Sequence, residues 1–215
     1  MINAVAAKRP SLAFEPVEFP TISGDYHAKA LLGSAPKAGY TEIVQMKILG
    51  AIIAGGKARR FGSDKAHAVL EGKRMIDRVA EAVLVQSQQL VICGRDEPGF
   101  DCIADRPEAD MGPLGGINAA LHHAAAHGFD AVLSAGCDIP NLPVDLASQL
   151  AGSGAAIVAD QPVVGLWPAE LAARLDKYLA AGERRIYGFA KKVGAREIEL
   201  DPPLLNINRP QDLPT

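Results

Sequence analysis

The chain has 215 residues, of which 48% are hydrophobic and 22% are charged, as in an ordinary soluble globular protein. Its formal net charge of -3 argues against a general nucleic-acid binder, whose surface is basic. No apolar run approaches the roughly 18 residues of a membrane span, so we expect neither a nucleic acid nor a membrane as partner.

Residues 1–45 differ from the rest, because prolines are scattered through them and no helical or strand period is sustained. They also lack the unbroken apolar stretch of a secretory signal. We predict a mostly disordered leader, or a start assigned upstream of a true start at Met46, with a partner-docking arm as the alternative. Residues 46–215 are predicted to form a single domain.

From Met46 onward, short apolar strands alternate with helical stretches, which is typical of a mostly parallel sheet. The predicted strands are Ile48–Ile53, 90–93, 102–104, 131–135, 155–159, 163–167 and 196–200. The predicted helices are 75–86, 113–126, 143–150 and 168–181. The fold class is thus α/β, with three layers in which helices flank a mostly parallel sheet.

The three cysteines, Cys93, Cys102 and Cys137, show no metal-binding spacing and lie in or beside apolar strands, so buried thiols are expected. A redox or metal role is the less favoured alternative. An odd, sparse cysteine count fits a reducing compartment better than a disulfide scaffold, which predicts a cytoplasmic protein.

The first predicted strand runs into a glycine-rich basic loop between Ala54 and Lys65. In sheets of this kind, ligands bind outside the carboxyl ends of the strands, where glycines let backbone N–H groups approach a phosphate. The loop carries the glycine pair Gly55-Gly56 and four cations, namely Lys57, Arg59, Arg60 and Lys65. Cations so close together repel unless an anion binds them, so a phosphate-binding loop is predicted, with a solvated basic loop as the alternative. The spacings of the P-loop and of the GxGxxG fingerprint are both missing.

Two aspartates follow later strands at the same predicted edge. Asp138 precedes Ile139-Pro140, and one carboxylate there is enough for a Mg²⁺ ion that also binds phosphate and water; a turn or helix N-cap is the alternative. Asp105 is either a nucleotide contact or a turn residue. The glycines of segment 112–116 either let helix N–H groups face an anion or permit close packing of the helix on the sheet.

Taken together, the motifs resemble a known family. Gly-Gly, Arg-Arg-Phe-Gly and Asp-Lys after Ala-Ile-Ile-Ala look like the signature of GT-A-like nucleotidyltransferases, and most like that of the molybdenum cofactor guanylyltransferases. The similarity continues in the family's order at Asp105 and at 112–116, 137–140, 165–168, 182–185 and 206–213, and the leader lies outside it. One departure is Cys93-Gly94-Arg95, where the family often has a polar residue, so the resemblance does not extend to a base or ribose contact there.

The resemblance implies a Rossmann-like nucleotidyltransferase fold and roles for individual residues. The implied nucleotide-binding residues are Ile53, Ala54, Gly55, Gly56, Lys65, Asp105 and Asp138. Asp138 is implied to hold Mg²⁺ on the triphosphate, and Arg60 and Lys65 to stabilise the transition state with it.

On the acceptor side, Asn206 and Asn208 match an Asn-x-Asn motif that helps to bind the pterin; backbone capping in a terminal loop is the alternative. Arg184 and Arg185 either approach the pterin or interact with the C-terminal end of the preceding helix.

The implied reaction transfers GMP from GTP to the terminal phosphate of molybdopterin, with loss of pyrophosphate. The attacking phosphate is already an anion, so no general base is needed. His67 is accordingly expected at the surface, and His122 and His123 in structural positions. Partners are the two substrates and molybdoenzyme apoproteins or cofactor-insertion proteins.

Two alternatives remain open. One is a CTP-dependent or sugar-phosphate nucleotidyltransferase of the same fold; Gly55-Gly56 favours GTP, because cytidylyl relatives more often have Ala-Gly there. The other is a non-enzymatic GTP- or cofactor-binding adaptor, against which the presence of both Lys65 and Asp138 argues.

Overall fold

The computed structural model of the chain describes residues 46–55 and 65–207, and of Lys65 only the backbone. The hypotheses on the leader 1–45 therefore lie outside the described residues. Within the described ranges, no helix is long and apolar enough to cross a membrane.

The described residues form a seven-stranded sheet and a two-stranded hairpin. The strands are β1 (Ile48–Ile53), β2 (Val69–Leu70), β3 (Lys73–Arg74), β4 (Gln89–Cys93), β5 (Asp101–Ile103), β6 (Ala131–Gly136), β7 (Ala156–Val158), β8 (Gln161–Pro168) and β9 (Arg196–Ile198). The large sheet has the order β5-β4-β1-β6-β8-β7-β9, and β2 pairs with β3. Within the large sheet β8 runs antiparallel to both of its neighbours and the other pairs are parallel, so the mostly parallel sheet is confirmed.

The centre of the sheet is the parallel pair β1 and β6. Every residue of both strands is buried, as expected for parallel strands covered by helices on both faces. They pair in register from Ile48 with Ala131 to Ile53 with Gly136. The segment that leaves β1 therefore lies beside the segment that leaves β6.

The helices of the described ranges are α1 (Met75–Leu84), α2 (Pro113–His127), α3 (Leu146–Leu150), α4 (Ala172–Ala180) and α5 (Ile186–Val193). Two 3-10 turns, Lys65–His67 and Ala169–Leu171, precede β2 and α4. Side chains of β1 alternate between two hydrophobic clusters. Leu49 and Ala51 pack with residues of α2, α4 and α5, whereas Ile48 and Ile52 pack with residues of α1 and α3. The predicted three-layer architecture is confirmed.

Two helices begin later than predicted. Within the predicted helix 143–150, residues 143–146 form a turn in which the Leu146 N–H donates to the Pro143 carbonyl at 3.3 Å. The helix α3 begins only at Leu146. Within the predicted helix 168–181, Pro168 pairs with Ala131 in the sheet, and a 3-10 turn separates it from α4. A proline favours a helix start but also fits turns and strand ends, so it does not decide either boundary.

The sequence pattern does not predict α5. This short helix contains Gly188, a residue that disfavours helices. The glycine is required because the Tyr178 hydroxyl occupies the space where a Cβ would lie. Tyr178 donates that hydroxyl to the Arg185 carbonyl at 3.1 Å, so the contact between α4 and α5 outweighs the local preference.

Candidate active site

The carboxyl ends of four parallel strands meet at one edge of the sheet. β1, β4, β5 and β6 end there at Ile53, Cys93, Ile103 and Gly136. Because β8 is antiparallel, its first residue, Gln161, lies at the same edge. Ligands of open α/β sheets bind outside this edge, so these positions locate the candidate site.

Gly55 and Gly94 bring the exits of β1 and β4 into contact. The Ala54 N–H donates to the Cys93 carbonyl at 3.0 Å, and the Gly94 N–H donates to the Ile103 carbonyl at 3.0 Å. Gly94 has a φ of +83°, and a Cβ built on it would lie 2.7 Å from the Gly55 Cα. Since no side chain fits at Gly94, the close approach of the two strand exits requires a glycine at this position.

The Asp105 carboxylate lies against this glycine contact. A Cβ added to Gly55 would lie 3.2 Å from the Asp105 Oδ2, and a Cβ added to Gly94 would lie 2.8 Å from the Asp105 Oδ1. Oδ1 is buried and has no hydrogen-bond partner among the described residues. Burial raises the pKa of Asp105, and the nearby Asp110 raises it further. Because a buried acceptor without a donor is costly, a bound group with an N–H or O–H is favoured here.

The first turn of α2 packs directly on the same strand ends. A Cβ on Gly115 would lie 3.3 Å from the Asp105 Cβ, and one on Gly116 would lie 3.0 Å from the Cys93 Cβ. The Arg106 N–H donates to the Gly115 carbonyl at 3.1 Å. The glycines of segment 112–116 therefore permit close packing of α2 on the sheet, which is one of the two predicted alternatives. Anion binding by this helix N-terminus stays a prediction.

Asp138 lies two residues beyond the end of β6. A Cβ on Gly136 would lie 2.5 Å from the Asp138 Oδ1, so the half-buried carboxylate turns back over the end of its own strand. Ile139, which follows, is buried and anchors the turn in the core. Because Gly136 pairs with Ile53, Asp138 is beside the exit of β1, on the side opposite Asp105.

The C-terminal segment returns to this edge and crosses the Asp138 turn. The Ile207 N–H donates to the Asp138 carbonyl at 3.1 Å, and the Ile207 side chain is buried against Leu70. Asn141 holds the segment in place, because its Oδ1 accepts a hydrogen bond from the Leu205 N–H at 2.8 Å.

Within this segment, the Asn206 side chain contacts the start of β8. Its Nδ2 donates to the Gln161 Oε1 at 3.0 Å. Its Oδ1 is buried and has no hydrogen-bond partner in the described part of the chain. Gln161 thus orients the Asn206 amide, and nothing in the sequence marks Gln161 as a site residue.

The structure brings the following predicted residues to one edge: Ile53, Ala54, Gly55, Asp105, Asp138 and Asn206. Gly56, Arg60 and Asn208 lie outside the described residues, and Lys65 begins the 3-10 turn Lys65–His67. Their roles stay predictions.

His67 lies at the surface as predicted, with a side chain that is 40% exposed. Its Nε2 also lies 2.9 Å from the Oε2 of Glu97, whose side chain is fully buried. Glu97 lies in the loop after β4, and a single glutamate in a loop gives no sequence signal of its burial. His122 agrees with its predicted structural position, because its Nε2 lies 2.8 Å from the Asp176 Oδ2 and links α2 to α4.

Arg184 donates its Nη1 to the Leu179 and Glu183 carbonyls, at 2.7 and 2.8 Å, which supports its predicted interaction with the C-terminal end of α4. A pterin contact by Arg184 or Arg185 stays a prediction. Of the three cysteines, Cys93 is buried as expected, whereas Cys102 and Cys137 are half-buried.

The chain is similar in sequence to proteins of one family. The model of the MobA-like NTP transferase domain matches residues 50–195. A Cereibacter sphaeroides protein named molybdenum cofactor guanylyltransferase is 41% identical over 182 residues, which cover 78% of this chain and 94% of the relative. A Rhodobacter capsulatus protein of the same name is 36% identical over 179 residues, with the same two coverages of 78% and 94%.

A solved structure supports the same relationship. The molybdopterin-guanine dinucleotide biosynthesis protein A from Archaeoglobus fulgidus has a TM-score of 0.64 and 26% sequence identity, and the match covers 77% of this chain and 94% of that one. The domain match, the relatives and this structure together show that the chain is a nucleotidyltransferase and belongs to the MobA-like family of molybdenum cofactor guanylyltransferases.

Proposed function

We propose that this chain transfers GMP from GTP to the terminal phosphate of molybdopterin, forming the molybdopterin guanine dinucleotide and releasing pyrophosphate. The observation that carries the proposal is the 41% identity to a relative named molybdenum cofactor guanylyltransferase. The site supports it, because Asp105 and Asp138 flank the glycine-lined exit of β1 from opposite sides. A nucleoside triphosphate with its metal fits such an arrangement, because Mg²⁺ commonly takes one or two carboxylates together with phosphate oxygens.

On the nucleotide side, the segment from Ile53 to Gly56 is the proposed triphosphate-binding segment, through its backbone N–H groups. Asp105 is the proposed acceptor for a donor group of the nucleoside. Its buried, unpartnered Oδ1 supports this role, since a ligand N–H or O–H would remove the cost of burying it.

In the proposed reaction, an oxygen of the acceptor's terminal phosphate forms a bond with the α-phosphorus of GTP. The bond from that phosphorus to the oxygen bridging to the β-phosphate breaks, and pyrophosphate leaves with the bonding electrons. The attacking oxygen is already anionic, so no protein base has to remove a proton. Since negative charge develops on the transferred group, the site must supply cations, and Lys65 and Arg60 are assigned to this task.

Asp138 is the proposed ligand of Mg²⁺. Among the described residues, no group of three or more His, Cys, Asp or Glu side chains could hold a metal ion. A single carboxylate oxygen at the sheet edge nevertheless fits Mg²⁺, which commonly takes one or two carboxylates and completes its shell with phosphate oxygens and water. When bound, the ion neutralises charge on the triphosphate.

On the acceptor side, Asn206 and Asn208 are the proposed pterin contacts. The hydrogen bond from Asn206 to Gln161 supports this assignment, because it orients the amide while the Oδ1 has no partner among the described residues.

A nucleotide panel tests the proposal. The purified protein is incubated with Mg²⁺, molybdopterin and GTP, CTP or ATP, and pyrophosphate and the dinucleotide product are measured. We expect product with GTP and little with the other two. Product with CTP but not with GTP would identify a cytidylyltransferase, and GTP binding without any product would favour the adaptor; either result overturns the proposal.

A further inference from the structure

One buried carboxylate has no role in the site described so far. Glu97 follows β4, and its side chain is 0% exposed. Carboxylates are rarely buried unless they are paired, because removing the charge from water is costly. The neighbours of Glu97 therefore indicate what it holds in place.

Three basic side chains surround this carboxylate, and Glu97, His67, Arg74 and Arg95 are called the Glu97 cluster below. Arg74 donates its Nη1 to the Oε1 at 2.7 Å. The His67 Nε2 lies 3.0 Å from the Oε1 and 2.9 Å from the Oε2, and the Arg95 Nη2 lies 3.5 Å from the Oε2. The cluster thus joins the 3-10 turn Lys65–His67, the start of α1 and the loop after β4.

The part of the cluster away from the turn is fixed by its own contacts. Arg74 donates to both carboxylate oxygens of Asp77 at 2.7 Å, and this hydrogen bonding is the main reason that the pKa of Arg74 is raised. The Glu97 backbone N–H donates to the Cys102 Sγ at 3.2 Å, which ties the loop to β5. His67 is therefore the member that transmits this fixed position to the turn.

The turn itself connects the phosphate loop to the hairpin. Ala66 is 1% exposed and packs in the same hydrophobic cluster as α1. The Met75 N–H donates to the Ala68 carbonyl at 2.9 Å, so the chain just after the turn is also fixed. Lys65 lies only two residues before His67, and a shift of His67 would move the backbone that carries Lys65.

We propose that Glu97 is a positioning residue for Lys65, because through His67 it fixes the turn whose backbone carries Lys65. The inference rests on the proposed function, in which Lys65 neutralises charge in the transition state. Position matters there, since a misplacement of about 1 Å can cost on the order of a hundredfold in rate. A purely structural role would lower stability and leave the kinetics of the folded protein unchanged.

The first test is Glu97→Gln, which keeps the side-chain shape and removes the charge. We expect the kcat for pyrophosphate release from GTP to fall by about tenfold or more, with the KM for molybdopterin within about twofold of the original. His67→Ala should lower kcat in the same direction, and it gives the decisive result if Glu97→Gln does not fold. Glu81→Gln is the matched control, because it removes an exposed ion pair with Lys73 and should leave kcat unchanged.

A double-mutant cycle with Lys65→Ala separates positioning from folding, with rates measured over a single turnover. If Glu97 acts through Lys65, adding Glu97→Gln to Lys65→Ala lowers the rate by less than about twofold. An equal loss in both backgrounds overturns the inference, and so does an unchanged kcat in folded Glu97→Gln. If the unmodified protein releases no pyrophosphate from GTP, the proposed function fails instead, so the two failures are distinguishable.

Discussion

Asp105 and Asp138 are chemically identical side chains on opposite sides of β1, but their surroundings differ. Asp105 is enclosed by Gly55 and Gly94, and burial raises its pKa. Asp138 is half-buried, as Asp105 is, and folds back over the end of β6. A buried oxygen without a donor, such as the Asp105 Oδ1, suits a directional hydrogen bond to one ligand atom. A single carboxylate at a strand end, such as Asp138, suits Mg²⁺, which keeps several waters.

Asp138→Asn is expected to reduce turnover by at least about a hundredfold, because an amide oxygen binds Mg²⁺ far more weakly than a carboxylate. The thermal unfolding midpoint should stay nearly unchanged. Pyrophosphate release at saturating Mg²⁺ measures the effect, with Asp145→Asn as a control that removes only the charge of an exposed carboxylate, since the Asn Oδ1 can still accept the hydrogen bond from Gln149. Normal turnover of the variant would remove Asp138 from the mechanism.

Gly94→Ala is expected to destabilise the protein and weaken GTP binding, because the new Cβ would lie 2.7 Å from the Gly55 Cα. Gly99→Ala is a matched control, since Gly99 also has a positive φ, +91°, but nothing lies within 4 Å of its Cβ position. The control carries the backbone penalty alone, about 1 kcal/mol. Denaturant unfolding and GTP titration measure both variants, and equal losses would contradict a role for the close contact.

Some site residues could be predicted from the sequence and others could not. Gly55, Asp105 and Asp138 follow apolar strands, so the rule that ligands bind at carboxyl strand ends points to them. Gln161 lies at the start of a strand, and it reaches the same edge only because β8 is antiparallel. Glu97 has a fully buried side chain whose partners come from other segments, and no local pattern reveals such a contact.

At the scale of elements, one charged residue adds hydrogen bonds to the apolar contact between α2 and α4. Asp176 accepts hydrogen bonds from the Asn118 Nδ2 and from the His122 Nε2, both at 2.8 Å. Burial acts to raise the pKa of Asp176. The hydrogen bonds from Asn118 and His122, together with the charges of His122 and Arg106, outweigh burial and lower that pKa below its usual value.

This lowered pKa predicts a pH dependence. A carboxyl group whose pKa is lower in the folded state stabilises the fold at pH values above its pKa in the unfolded chain, about 3.9. This contribution is lost as the pH falls through the pKa of the folded state. As the pH is lowered below about 5, the free energy of unfolding should therefore fall less steeply in Asp176→Asn than in the unmodified protein. Because the Asp176 side chain is 42% exposed, the difference should not exceed about 1 kcal/mol. Urea unfolding across this range measures it, and parallel pH curves would contradict the prediction.

Element type was easier to predict than element boundaries. Local sequence predicts the buried strands β1 and β6 and the long helix α2. Their apolar runs and helical periodicity extend over many residues, so the signal for each element is strong. The start of α4 depends on whether Pro168 pairs with Ala131, a residue far away in the chain. The existence of α5 depends on Tyr178 packing against Gly188, which is likewise a tertiary contact.

At the scale of the whole molecule, the family match begins at residue 50, and the leader hypothesis concerns the residues before Met46. A chain that starts at Met46 is expected to keep its unfolding midpoint and, within about twofold, its turnover with GTP, since segments outside a packed domain usually tolerate removal. Thermal unfolding and pyrophosphate release of the two chains provide the measurement. A marked loss of turnover in the shorter chain would favour the docking-arm alternative.

The edge residues occur along the chain in an order that separates the two proposed substrates. Gly55, Asp105 and Asp138 all come before the exposed residues 152–154, whereas Gln161 and Asn206 come after them. A recombination point in that exposed stretch would exchange the acceptor-side residues as one block and leave the donor-side residues intact, as long as the new β8 still pairs with β6. On the proposed assignment of these residues, acceptor preference can therefore be exchanged, in evolution or by engineering, independently of nucleotide binding.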